Sequence, residues 1–418
     1  MPRILDLYCG MGGLSLGFAL ALENPEISGY DIDACAVETY NLNLSKLGCK
    51  AYASDLLKKE LDGEWDLVIG GVPCQPFSVA NISKGGEKHR LYPTFPRFFH
   101  FVMKLKPKAF LMENVKGLVS RKHKHLLERE LSLVSREYFV EYAVLNAADY
   151  GVPQKRERLF LLGIRRDLGI MPDFPPKTHS EAGSMTLHGK LDKWITVKEA
   201  IGDLLDHEIT LITPKRSLTD RTVETTHKPI FLSEEPSPTV TVSGLSEIIC
   251  WNFSDESMRK HRPQSLDEPA RTVRASWANT PPDALIGLGK ILSEKAVEKI
   301  SRMGIRTINL NAPSNTITKF DRGYSATEQY LKIGAYYRRL SVKECLRLQS
   351  FPDWWRFLEG TSRTRMYKLV GEAVPPILAY KMATHIARLL GWGTREPPKP
   401  EEWELPYFYR AFQEYYNA

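Results

Sequence analysis

Six short apolar runs, spaced by turn-like or helical segments, constrain the fold of this 418-residue chain more than any other feature. They are Ile4–Tyr8, Ile27–Asp31, Asp66–Ile69, Ala109–Met112, Tyr142–Leu145 and Leu159–Ile164. Each has the length of a buried strand, and the alternation predicts a doubly wound α/β sheet over residues 1–166. The first unit is the most informative. Asp6-Leu7-Tyr8-Cys9-Gly10-Met11-Gly12-Gly13 leaves a strand and opens an amphipathic segment carrying Leu14, Leu16 and Phe18. Glycines at such a corner let a nucleotide-like ligand approach the backbone at a helix start. The second run ends at Asp31, about 20 residues on, where an acidic side chain can hold ribose hydroxyls. Together they point to an adenosine-containing ligand.

The third run feeds Gly70-Gly71-Val72-Pro73-Cys74-Gln75-Pro76-Phe77-Ser78. Two glycines allow a sharp turn, Pro73 fixes the approach to a single cysteine, and Pro76 cannot continue a strand. A lone cysteine is most often a packed apolar side chain. Here the rigid surroundings argue for a nucleophile aimed outward from the mouth of a strand. Met112-Glu113-Asn114-Val115 ends another run, so Glu113 should emerge at the same sheet edge as Cys74. Gln154-Lys155-Arg156-Glu157-Arg158 precedes the last run, and alternation places Arg156 and Arg158 on one face. A thiol, a carboxyl and two guanidiniums thus converge near the glycine corner.

Composition narrows the setting. The net charge of +7 is modest for this length, and no apolar run approaches the roughly 18 residues of a membrane span. No signal or transit segment is read at Met1–Leu5. The six cysteines (Cys9, Cys35, Cys49, Cys74, Cys250, Cys345) lack paired metal spacing, so neither zinc nor disulfides are expected, and a reducing cytoplasm is.

Between residues 167 and 335 the texture changes. Prolines become frequent, and a Pro-led turn feeding a short β segment recurs at Pro236–Val240, Pro269–Val273 and Pro313–Ile317. A β-rich inserted domain is predicted, with one helix over Leu288–Met303. From residue 336 the helical rhythm returns. Ser341 and Glu344 fit a capping box, Met366–Val374 leads past Pro375-Pro376, and Ile377–Leu390 presents Leu378, Met382, Ile386 and Leu390 on one face. That helix should pack back on the first sheet and complete its domain through residue 392. The tail, residues 393–418, holds Trp403, Tyr407, Phe408, Tyr409, Phe412, Tyr415 and Tyr416, enough aromatic surface to dock on the body or on a partner.

Six stretches in this order resemble the cytosine-5 DNA methyltransferases: the Asp6–Phe18 corner, Pro73-Cys74-Gln75, Glu113-Asn114-Val115, Gln154–Arg158, Arg339–Asp353 and Gly371–Pro376. The resemblance covers about the first 166 and the last 80 residues, flanking the variable middle where that family carries its target-recognition domain. It implies a Rossmann-like S-adenosylmethionine-dependent methyltransferase sheet with a smaller β-rich insertion. It further implies that Cys74 attacks carbon 6 of a flipped cytosine, its thiolate favoured by the turn and the arginines. Glu113 would act as the protonated carboxyl at ring nitrogen 3. Arg158 would face the ring carbonyl oxygen, and Arg156 would steady Cys74 or the DNA. S-adenosylmethionine would be the methyl donor, with no metal. Its ribose would meet Asp31, its adenine would pack on Tyr8 and Ile32, and Asp55 with Leu56 would read the adenine edge. Asp6, Gly10, Gly12, Gly13, Pro73 and Ala373 would complete the donor site.

Double-stranded DNA is the implied partner. Ser83–Arg90 reads as a phosphate-gripping loop, and Lys215, Arg216, Arg221, Arg271, Arg274, Lys319 and Arg322 as backbone-tracking charges. A monomeric, stand-alone prokaryotic modification enzyme is implied, cytoplasmic and associated with the nucleoid through DNA, partnered in its system by a restriction endonuclease. Three departures stand out. Tyr8 replaces the usual Phe and would send its hydroxyl to water. Glu372 replaces the usual Asn, close to the expected methionine end of the donor. The motif between Cys74 and Glu113 is thin, around Tyr92-Pro93-Thr94-Phe95. Three rival readings remain at this stage: an RNA cytosine-5 methyltransferase, a catalytically idle DNA-binding regulator, and a nicotinamide-dependent oxidoreductase.

Overall fold

A strand that enters a parallel sheet must be apolar on both faces, and β1 (Arg3–Leu7) meets that demand. Ile4 joins the apolar layer on one side, and Leu5 and Leu7 join the layer on the other. The computed structural model describes residues 1–77, 86–186, 189–205, 210–215, 226–230, 248–251, 290–291, 307–317, 330–333 and 336–416. Around β1 stand β2 (Glu26–Asp31), β3 (Cys49–Ala53), β4 (Leu67–Gly71), β5 (Ala109–Val115) and β6 (Tyr138–Asn146). The two-residue β7 (Gln154–Lys155) then precedes β8 (Glu157–Arg165). The large sheet has the order β3-β2-β1-β4-β5-β8-β6. Its first five strands run parallel, and β8 lies antiparallel between β5 and β6.

The strand order reverses between β1 and β4, and there the carboxyl ends of neighbouring strands leave a crevice for a ligand. The corner after β1 and the Cys74 turn after β4 both open onto it. β3 was not anticipated from sequence. It is a short edge strand whose Lys50, Tyr52 and Ala53 are exposed, so it lacks a continuous apolar run.

Helices cover both faces. α1 (Gly13–Ala21) and α2 (Ala34–Leu44) pack on one side, and α3 (Thr94–Leu105) and α4 (Lys124–Val134) on the other. Later come α5 (Val197–Leu205), α6 (Val342–Leu348), α7 (Arg363–Glu372) and α8 (Pro376–Leu390). α6 opens on the expected capping box: Ser341 N–H donates to Glu344 Oε2 at 2.6 Å, and Glu344 N–H to Ser341 Oγ at 3.1 Å. α8 lies against α1 so closely that a methyl group on Gly17 would overlap Ala379 and the Tyr380 backbone. The last long helix therefore completes the core that the first strand begins.

The tail docks on the body. Trp403 and Phe412 pack around Tyr380, and Tyr407 donates its hydroxyl to the Arg347 carbonyl at 2.5 Å. Buried Lys381 donates to the Ala411 carbonyl at 3.1 Å and pairs with Glu414.

In the insertion, a six-stranded antiparallel sheet has the order Thr226–Ile230, Thr210–Lys215, Ile248–Trp251, Lys290–Ile291, Tyr336–Arg339, Tyr330–Ile333. Lys290 and Ile291 are strand residues here, which corrects the helix expected from Leu288. Its remaining residues from 292 to 303 lie outside the described residues, as do Ser78, Ser83–Gly85 and the turns at Pro236 and Pro269. The third turn is described. Ser314 and Asn315 pair in parallel with β7, joining the exit of the insertion to the catalytic strand.

Candidate active site

The turn after β4 is built to hold one thiol. Gly71, the last residue of β4, pairs with Glu113, so Glu113 stands level with the start of the Cys74 turn while β5 runs on to Val115. Asn114 Nδ2 donates to the Val72 carbonyl at 3.2 Å, and Phe77 N–H closes a turn onto the Cys74 carbonyl at 3.0 Å. Phe77 is fully buried and meets Phe95 edge-on at 5.2 Å between centroids. Burying one such ring contributes about 2–3 kcal/mol, which anchors the turn from below. Cys74 keeps partial exposure at its mouth.

Glu113 is 8% exposed and sits beside Arg158, whose Nε lies 3.0 Å from Glu113 Oε1. Burial raises the Glu113 carboxyl above its ordinary range, opposed by Arg158 and Arg156. The Arg158 contact holds that carboxyl in one orientation. Burial likewise pushes the Cys74 thiol up, with Glu113 adding to the rise and Arg158 and Arg156 opposing it. That corrects the expectation of a favoured thiolate: the arginines are near, but desolvation wins in the free protein.

Arg156 is 2% exposed and does something sequence did not indicate. Its guanidinium donates from Nη1 to the carbonyls of Ile317 (3.2 Å) and Gly371 (3.2 Å). Its Nη2 donates to those of Gly371 (3.1 Å) and Ala373 (2.9 Å). Burial pulls its pKa down to about 9, which leaves it charged at neutral pH. One side chain therefore joins the catalytic strand, the exit of the insertion and the end of α7. Spacing alone could not distinguish this clamp from a surface arginine.

The corner after β1 is the second half of the site. Tyr8, Gly10 and Gly12 take φ values of 59°, 53° and 98°, left-handed geometry that glycine adopts freely and tyrosine rarely. Asp31 ties the corner down: Oδ2 accepts from Gly10 N–H and Oδ1 from Asp33 N–H, each at 2.9 Å. Asp6 is fully buried beneath, accepting from Ser15 Oγ at 2.6 Å. Its Oδ1 meets no donor among the described residues, and burial raises its pKa to about 7. The Tyr8 hydroxyl donates to the Thr94 carbonyl at 3.1 Å, where water was expected. That bond gives the thin stretch around Tyr92–Phe95 a role in bracing the corner.

An adenosine-type ligand fits these residues. Open space surrounds Gly10, and Ile32 is 71% exposed beside Asp31, a large apolar side chain left uncovered. Asp55 stays partly exposed. Leu56 is 2% exposed and its carbonyl is taken by Arg97 at 2.8 Å, so its side chain is not available to a ligand. Gly13 is where α1 meets the return segment, since a Cβ there would overlap the Val374 carbonyl. Ala373 is the C-cap of α7, and Pro73 lies two residues past the end of β4.

Sequence reasoning missed the link between α7 and this corner. Arg365 and Lys368 on α7 both pair with Asp33, the N-cap of α2, Lys368 at 3.7 Å. Two basic residues at three-residue spacing were the available signal.

The model of the C-5 cytosine-specific DNA methylases matches residues 2–388. The chain belongs to that family. Similar proteins include the Type II methyltransferase M.XorII of Xanthomonas oryzae pv. oryzae, 31% identical over 96% of this chain and 87% of that protein. The Type II methyltransferase M.MthTI of Methanothermobacter thermautotrophicus is also 31% identical, over 92% of this chain and 97% of that protein. Among solved structures, the S. pombe Dnmt2 methyltransferase shares the fold, with a TM-score of 0.55 at 15% identity, covering 94% of this chain and all of that one. As a C-5 cytosine-specific DNA methylase, the chain is an enzyme of the DNA (cytosine-5-)-methyltransferase class acting on DNA. Among the described residues, no helix is long and apolar enough to cross a membrane.

Proposed function

We propose that this methylase modifies a cytosine swung out of a specific duplex site, through a transient bond between Cys74 sulfur and carbon 6 of the ring. The observation that supports this most directly is the Arg158–Glu113 pair at 3.0 Å, with Glu113 on β5 beside the strand that ends in the Cys74 turn and Arg158 on β8 beyond it. Cys74 first loses its proton to solvent, and the thiolate adds to carbon 6. Electron density moves toward carbon 5 and nitrogen 3, and protonated Glu113 donates to nitrogen 3. Arg158 holds that carboxyl in place and faces the charge that develops on the ring carbonyl oxygen. Carbon 5 is then a nucleophile and accepts the methyl group. Loss of the carbon 5 proton to a base re-forms the ring double bond, the carbon–sulfur bond breaks, and the nitrogen 3 proton returns to Glu113. Arg156 acts as a positioning residue, fixing residues 371–373 against this strand.

Bound S-adenosylmethionine would supply a methyl group on a sulfonium. Asp31 would hold its ribose, Tyr8 and Ile32 its adenine, and Asp55 with the Leu56 backbone its edge. Gly10, Gly12, Gly13, Pro73 and Ala373 would line its path, with Asp6 bracing the corner from below. Residues 1–166 and 336–392 form the catalytic domain in this reading, 167–335 read the DNA, and 393–418 strap the core. α5 packs with the large core, and the second sheet continues to Arg339, so those boundaries are interleaved. Flipping the base costs on the order of a few kcal/mol, offset by contacts to the DNA backbone. Of the residues expected there, Arg216, Arg221, Arg271, Arg274, Lys319 and Arg322 lie outside the described residues, as does the Lys215 side chain. The enzyme works as a monomer in a prokaryotic cytoplasm, bound to nucleoid DNA, as the protective half of a restriction–modification pair.

Incubation with duplex DNA carrying 5-fluorocytosine and S-adenosylmethionine tests the covalent route. Fluorine blocks release, so a denaturation-resistant adduct is expected with the native protein and none with Cys74→Ala. Gel-shifted DNA without such an adduct would overturn it. Bisulfite sequencing of DNA from expressing cells gives the site, and tRNA in place of duplex should take up no methyl.

A further inference from the structure

We propose that the basic run at residues 121–125, at the entrance to α4, is a docking site for backbone phosphates of the DNA strand that carries the target base. The inference rests on the reading of Cys74 as the group that meets that base. It adds a grip on the catalytic domain, apart from the insertion.

Placement and charge carry the argument together. Residues 116–127 hold four fixed positive charges (Lys116, Arg121, Lys122 and Lys124), two histidines and no acid. Arg121, Lys122, Lys124 and His125 are exposed. A knot on one carbonyl sets this run against the Cys74 turn. The Gly117 carbonyl accepts from Ser120 N–H at 3.2 Å and from Ser120 Oγ at 2.6 Å, and His123 Nδ1 lies 3.1 Å from it. Gly117 itself is pressed onto the Phe77 carbonyl, which a Cβ would overlap, and the His123 ring meets Phe77 edge-on at 5.7 Å between centroids. Phe77 N–H in turn donates to the Cys74 carbonyl at 3.0 Å. Direct contacts thus lead from the Cys74 turn to the run.

Beside the run lies the turn Gly86–Lys88, followed by Arg90, with Lys88 and Arg90 exposed. His123 is 6% exposed, and its Nε2 meets no partner among the described residues. A Cβ added at Gly86 would lie 3.9 Å from that nitrogen. One buried ring therefore seats two basic segments side by side at the mouth of the site.

Ordinary surface charges on this domain are arranged differently. Arg97 and Lys104 share Glu60 at 2.6 and 3.0 Å, Lys108 pairs with Asp66 at 2.8 Å, and Arg165 pairs with Asp167 at 2.7 Å. In the run, Lys124 contacts Glu128 one turn on at 3.3 Å, an exposed pair that a phosphate can displace. The first turn of α4 holds Lys124 and His125 and no acid. Positive charge there opposes the helix dipole and costs stability. A polyanion would offset that cost. A nucleotide whose base reaches Cys74 brings its own phosphates to the rim of the same turn, so these are the anions within reach.

Binding of the intact protein to a fluorescein-labelled duplex of mixed sequence, followed by anisotropy from low to high salt, tests the site. Each lost phosphate contact lowers the slope of log K against log salt by about 0.9. The triple variant Arg121→Ala, Lys122→Ala, Lys124→Ala should lose about 2–3 from that slope and bind at least about tenfold more weakly at physiological salt. Its melting temperature and its affinity for S-adenosylhomocysteine should match the native protein's. The control, Lys104→Ala with Lys108→Ala, removes two cations already matched by acids and should keep the native slope. A native slope in the triple variant, a comparable drop per charge in the control, or a loss confined to tRNA would overturn the assignment. Adduct formation with 5-fluorocytosine duplex at low salt keeps the two readings apart. Native protein that forms none overturns the role of Cys74, whereas a triple variant that forms the adduct with a native slope overturns the phosphate site alone.

Discussion

Arg158 on β8 stands opposite Val115 on β5 and reaches diagonally to Glu113 two residues back, with Nε and Oε1 3.0 Å apart. The guanidinium lowers the carboxyl while burial raises it, and burial prevails. Glu113→Gln keeps the shape and a donor but has no proton to give. Methyl transfer to duplex DNA should fall by roughly 100- to 10,000-fold. Arg158→Ala should remove the charge that opposes burial, leaving Glu113 protonated to higher pH while orientation is lost. Turnover should drop at least about tenfold, and the carboxyl's titration, followed by difference infrared spectroscopy, should move upward.

Cys74 is held as a thiol by burial and by the neighbouring Glu113. Alkylation by iodoacetamide should therefore half-saturate above the pH at which an ordinary thiol does. Glu113→Gln removes the carboxyl that opposes the Cys74 thiolate and should move that profile downward. An unchanged profile would mean that the two groups do not sense each other. Cys74→Ala should lose turnover and keep the native melting temperature.

Removing the Arg156 guanidinium strands the carbonyls of Ile317, Gly371 and Ala373. Arg156→Ala should cost about 2–4 kcal/mol in denaturant unfolding, since each buried group left without a donor is expensive. Lysine in its place has a single nitrogen where Arg156 donates from two, and should recover only part of that.

Gly13→Ala places a methyl group onto the Val374 carbonyl. The junction of α7 and α8 must then move off α1, at about 1–3 kcal/mol. Affinity for S-adenosylhomocysteine should fall together with the melting temperature.

Asp6 has a folded pKa near 7, well above an exposed carboxyl's. The folded state thus holds a proton that the unfolded chain releases, and this group's contribution to stability declines as pH rises from about 4 to 7. Asp6→Asn still accepts from Ser15 but cannot ionise. Its melting temperature should gain on the native protein's between pH 5 and pH 8.

The parallel sheet could be read from sequence because buried strands are mostly apolar, and the Ile4–Leu7, Leu67–Ile69 and Ala109–Met112 stretches of β1, β4 and β5 are, with Asp6 the one polar exception. β3 could not, because an edge strand with exposed Lys50 and Tyr52 carries no such pattern. The convergence of Cys74, Glu113 and Arg158 followed from strand ends alone. Arg156 looked like its neighbour Arg158, yet one braces the backbone and the other pairs with a carboxyl, a difference set by contacts over 160 residues away in the chain. The Thr94 carbonyl that receives Tyr8 was equally hidden, since no local pattern announces a partner across the crevice.

The lodging of α8 against α1 orders events in time. A chain emerging from the ribosome offers its opening strand and glycine corner at once, yet the wall that presses on Gly13 and Gly17 is synthesised almost last. Such distant closure is slow to form. A nascent or truncated chain that stops short of α8 leaves Gly17 and the first helix uncovered, so on the proposed reading of the crevice modification would begin only when synthesis is nearly done.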